Sequence, residues 1–192
     1  DQGQYLQALL KLMDDPTLGV ENRCQVAGLL AKLPYKSGDP LDGPAVVKSF
    51  AQLAADYGAD EAKLARKFQE LQIAGGGGGF FAGVGVTTHQ GFRIVNGSLV
   101  YERRRPVACI TYMSEGMNAV SAALDDDQKK VLQALQQAMK PVVDHSTKKD
   151  SSEIELADRI RSMAEEFNRV APTAGATAAD LGRDKNSTTG IF

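Results

Sequence analysis

The chain has 192 residues, 43% of them hydrophobic, enough apolar material to bury a core without disulfide or metal staples. A formal charge of −2 and a pI near 5.7 give no basic field of the kind that phosphate-driven binding requires, so nucleic acid is not expected as a partner. The longest weakly polar stretch, Ile73 to Val86, is short of the roughly 18 to 20 apolar residues that cross a bilayer, and much of it is glycine; no transmembrane segment is expected.

In chain order, Leu6, Leu9, Leu10 and Met13 share one helical face between Tyr5 and Asp14, and Asp15-Pro16 ends it. A second helix is predicted over Val20 to Leu33. Asp42-Gly43-Pro44 offers an N-cap for a third, whose stripe Val46, Phe50, Leu53 and Tyr57 runs up to Gly58. Asp60 then caps a fourth, carrying Leu64, Phe68 and Leu71. Residues 1–74 therefore read as a helical bundle or array.

Five glycines, Gly75 to Gly79, follow as a connector. They fit neither a dinucleotide-binding nor a P-loop spacing, and a strand-like segment, Phe80 to Thr88, comes next rather than a helix. Asn96-Gly97 between Phe92–Val95 and Ser98–Tyr101 predicts a two-residue hairpin, because a type I′ turn needs positive φ at both central positions. In that register Phe92 faces Tyr101 and Ile94 faces Leu99, all four on one side. Val107 to Met113, opened by Pro106, reads as a further strand of the same meander.

Helix returns at Ser114, and again at Asp126, where Leu132, Leu135, Met139 and Val142 recur at helical spacing until Pro141 ends or kinks the run. Asp125-Asp126-Asp127 is read as helix capping rather than an ion site, since it lacks the alternation and the glycine of a calcium loop. Ser152-Glu153-Ile154-Glu155 fits a capping box opening a helix with the seam Leu156, Ile160, Met163, Phe167 and Val170. Residues 173–192 are expected to form an extended arm. The predicted class is α+β, mostly α: an N-terminal helical bundle or array (1–74), the connector (75–79), then a small antiparallel meander with C-terminal helices (80–172) and the arm.

Candidate functional residues are few. Arg103-Arg104-Arg105 is the densest positive cluster and, with the apolar terminal pair Ile191 and Phe192, is the expected surface for a protein partner. His89 and Arg93 are the candidates for holding an anionic small molecule at the sheet. His145 falls in a polar connector and is expected to be exposed. Cys24 and Cys109 form no CxxC pair, and with two histidines a metal site is not expected, nor is any cofactor. The Asp1 start favours a processed chain, lumenal or secreted, or one cut from something longer. Asn96-Gly97-Ser98 and Asn186-Ser187-Thr188 match the glycosylation acceptor pattern without deciding the compartment. The expected function is a non-catalytic interaction or structural subunit that docks on a larger protein assembly. The alternative is a small enzyme or ligand-binding domain for an anionic small molecule.

Overall fold

The computed structural model describes residues 2–36, 41–74 and 91–183. They form α1 (Gln2–Asp14), α2 (Val20–Leu30), α3 (Gly43–Ala74), a hairpin of β1 (Phe92–Val95) and β2 (Ser98–Tyr101), α4 (Arg104–Val120), a short 3-10 turn (Ser121–Ala123), α5 (Asp126–Thr147) and α6 (Glu153–Arg183). The class is the expected one, mostly helical with a small antiparallel sheet. The two longest helices, α3 and α6, lie along one another, α2 packs on α4, and α5 closes against α6 and α4. The glycine connector and the predicted strand 80–88 lie outside the described residues.

Sequence punctuation and structure part company at Gly58. Two helices were expected on either side of it, and α3 runs straight through for 32 residues. A Cβ at Gly58 would stand 2.8 Å from Phe167 Cδ2 and 3.2 Å from Ala164 Cα, so the glycine is a notch that lets α6 approach α3 rather than a helix end. Asp42 remains the cap, accepting from the Ala45 N–H at 3.1 Å. Asp60, mid-helix, is freed from capping and turns out to have a different partner.

The hairpin forms in the expected register, Phe92 opposite Tyr101 and Ile94 opposite Leu99, with Asn96 and Gly97 at φ 50° and 78°. Phe92, Leu99 and Tyr101 are buried, whereas Ile94 stays partly exposed. Phe68 of α3 meets the Tyr101 ring edge-on at 5.5 Å and the Phe92 ring at 6.5 Å, which seats the sheet on that helix. The side-chain amide of Gln72 donates to the Leu99 carbonyl at 3.0 Å, and the Tyr101 N–H donates to Glu153 at 3.0 Å. Side chains of α3 and α6 thus satisfy β2 backbone groups that the two-stranded sheet leaves over.

The strand expected at 107–113 is helix. Pro106 sits in the first turn of α4, where a missing N–H costs nothing, and the buried residues Pro106, Cys109, Ile110, Met113, Met117 and Val120 recur every three or four positions. That helical stripe outweighs the β-branched content of a seven-residue window. Pro141 likewise does not end α5, which continues to Thr147. The expected arm is also corrected over its first part, because α6 passes Pro172 and reaches Arg183; residues 184–192 lie outside the described residues. The seam Leu156, Ile160, Met163, Phe167 and Val170 is buried throughout.

Asp125 caps α5 in a full capping box: its carboxylate accepts from the Gln128 N–H at 2.8 Å, and the Gln128 side chain accepts from the Asp125 N–H at 3.2 Å. Asp125→Ala leaves the Gln128 N–H to water and is expected to cost about 1 kcal/mol in chemical denaturation.

Candidate functional site

The centre of charge in this fold is Arg105, in the first turn of α4. A cation at a helix N-terminus opposes the macrodipole, so its position needs compensation, and three carboxylates provide it. Arg105 pairs with Glu21 of α2, with Asp60 at 2.6 Å, and with Glu61, whose side chain is fully buried. Burial works against the guanidinium charge, and the hydrogen bonds to Glu21 and Asp60 outweigh it, holding Arg105 above its ordinary range. Glu61 also accepts the Tyr101 hydroxyl at 2.7 Å. Burial, with Asp60 and Glu153 near, raises Tyr101 above the usual phenol range and keeps that proton in place. One cluster therefore ties α2, α3, the hairpin and α4.

Arg103 is turned inward too. It pairs with Glu153, and its guanidinium donates to the Ser151 hydroxyl and carbonyl and, at 3.2 Å, to the Lys148 carbonyl, joining α4 to the α5–α6 connection. Arg104 alone of the three is exposed, with no ion pair among the described residues. Arg93 faces solvent 3.6 Å from Glu102. His89, Ile191 and Phe192 lie outside the described residues. His145, expected on the surface, is buried in the last turn of α5: Arg159 Nε donates to Nδ1 at 3.1 Å, so Nε2 carries the hydrogen and donates to the Ser152 carbonyl at 2.8 Å. It clamps α5 to the start of α6.

Beside Arg105 a cleft of about 630 Å³ opens between α2, α3 and α4, with Glu21, Lys63, Gly91, Arg105, Cys109 and Tyr112 among its walls. Its lining mixes acids and bases. Cys109 stands in this wall close to Cys24 of α2, a juxtaposition that residue spacing could not reveal. Among the described residues, no group of three or more His, Cys, Asp and Glu gathers to hold a metal, and no helix is long and apolar enough to cross a membrane.

Comparison with protein-family models, with curated proteins and with solved structures finds no match to the chain.

Proposed function

We propose that this chain is a non-catalytic interaction module that docks on a protein partner through the hairpin end of the helical body. The supporting observation is where, among the described residues, its large exposed β-branched side chains fall. Ile73 is 81% exposed and Ile154 55%, and each follows directly on a residue, Gln72 or Glu153, that bonds the hairpin backbone; Ile94 and Val95 are partly exposed in the hairpin itself. Apolar surface left in water does nothing for the fold, while covering it yields about 25 cal/mol per Å². Arg104 and Arg93 stand near the same end as rim charges and suit a partner whose apolar patch is edged by acidic groups. Arg103 and Arg105, spent internally, hold this surface in shape, and Ile191 and Phe192 are proposed to extend it.

The test is a pull-down from the native source read by mass spectrometry, with three forms beside the wild type. Ile73→Asp combined with Ile154→Asp, and truncation after Arg183, are expected to lose stoichiometric partners that Tyr5→Asp combined with Leu12→Asp, on the exposed face of α1, retains. Equal recovery by all forms sinks the reading. A second reading, a ligand-binding domain, draws on the cleft, where Lys63 makes no ion pair among the described residues and offers an anionic group a contact beside Arg105. A metabolite that raises the melting temperature of the wild type and not of Lys63→Ala would favour it.

A further inference from the structure

The chain has two cysteines in all, and the fold brings them together across the α2–α4 interface. The approach is built by glycine. Gly28 of α2 lies under the Tyr112 ring, where an added Cβ would stand 2.8 Å from Cδ1, and Gly116 of α4 lies against the Ala27 carbonyl, so the two helices pack backbone to backbone beside the thiols. The two thiols are free and lie close enough across this interface to shift one another's proton affinity. Their surroundings differ. Both are buried, but Cys24 has no exposure at all, whereas Cys109 keeps 5% and lines the cleft next to Arg105. Tyr57, fully buried on α3, adds a second sign, because among the described residues its hydroxyl has no hydrogen-bond partner although Cys109, Cys24 and Arg105 are close enough to act on it electrostatically. A buried hydroxyl left unsatisfied costs about 1–3 kcal/mol and calls for a reason.

We propose that Cys109 and Cys24 are a peroxide-reactive dithiol, with Cys109 attacking from the cleft wall and Cys24 resolving from behind it. The Cys109 thiolate attacks one oxygen of hydrogen peroxide. The O–O bond breaks, hydroxide leaves and takes up a proton as water, and Cys109 becomes a sulfenic acid. The Cys24 sulfur then attacks the Cys109 sulfur, the S–O bond breaks, and a second water departs as the disulfide forms. Two thiols give up two electrons and two protons; the peroxide accepts both electrons and ends as water. The division of labour follows the environments. The neighbouring Cys24 thiol, aided by the Arg105 charge, lowers the Cys109 thiol below its ordinary range, while the proximity of Cys109 and burial raise Cys24. The Tyr57 hydroxyl, without an acceptor among the described residues, is expected to donate to the sulfenate oxygen.

The experiment treats the folded chain at neutral pH with hydrogen peroxide, quenches with an alkylating agent and reads intact mass and cross-linked peptides. Wild type is expected to lose about 2 Da and to yield a Cys24–Cys109 peptide. Cys24→Ser should stop at a gain of about 16 Da trapped by a 1,3-dione at Cys109, and Cys109→Ser should leave Cys24 unmodified. Tyr57→Phe, which changes one atom, should keep the fold by circular dichroism and slow sulfenate formation. Two reduced thiols in treated wild type would overturn the proposal, and so would Cys24 oxidising as fast in Cys109→Ser as Cys109 does in Cys24→Ser. The wild-type result stands whether or not either serine variant folds.

Discussion

Replacing Arg105 with methionine is expected to lower the unfolding free energy by about 3–5 kcal/mol, a large part of what a domain of this size has. The magnitude comes from what is left behind. Arg105→Met keeps much of the side-chain volume and removes the charge, which strands Glu61, a carboxylate with no solvent exposure, with the Tyr101 hydroxyl as its remaining partner. Glu21 and Asp60 are both about half exposed and can turn to water, so their loss contributes little. Adding Glu61→Gln should therefore recover much of the deficit, because a neutral amide still accepts the Tyr101 hydroxyl at far lower cost of burial. Arg104→Met, one residue away and exposed, should change stability by less than about 0.5 kcal/mol. Urea denaturation of the four proteins checks the set. A small effect for Arg105→Met, or no recovery in the double variant, would mean that the cluster is not what holds α4 to α2 and α3.

That contrast also explains why the arginine triplet was legible as a cluster and not as a structure. Read as the end of a strand, three neighbours alternate faces. Read as the start of a helix, Arg103 reaches Glu153 at the start of α6 and Arg105 reaches Glu21 of α2 and Asp60 of α3, while Arg104 stays exposed. The error lies in the window 107–113, where Val107, Ile110, Thr111 and Tyr112 carry strand propensity, and the longer stripe from Pro106 to Val120 decides for helix. Hairpin register, the Asp125 cap and the Leu156 to Val170 seam were readable because each is fixed within a few residues: a turn, a cap, a period. The Arg105 cluster and the thiol pair gather residues from α2, α3 and α4, and no local rule brings those together. Asp60 shows the difference within one residue: its sequence context offers a helix cap, and the fold uses it as a counter-ion.

The glycines draw the same line between local and tertiary meaning, and two of them give opposite expected results for one substitution. Gly→Ala in a helix gains about 1 kcal/mol from propensity wherever the methyl has room. Among the described residues, and apart from its chain neighbours and its own stretch of helix backbone, no atom lies within 4 Å of a Cβ added at Gly175 of α6, so Gly175→Ala should stabilise by up to about that amount. At Gly116 the added Cβ would fall well inside contact distance of the Ala27 carbonyl oxygen and 3.0 Å from Phe50 Cζ. A backbone oxygen in α2 cannot rotate away as a side chain can, so the helices must separate. Overpacking of that kind costs about 3 kcal/mol, and after the propensity gain Gly116→Ala should lose about 2 kcal/mol. The displacement falls on the interface that holds Cys24 against Cys109, and peroxide treatment of Gly116→Ala should accordingly give sulfenic acid at Cys109 with less disulfide. Equal stabilities for the two alanine variants would show that α2 and α4 do not meet through their backbones, and the thiol pairing would lose its structural basis with them.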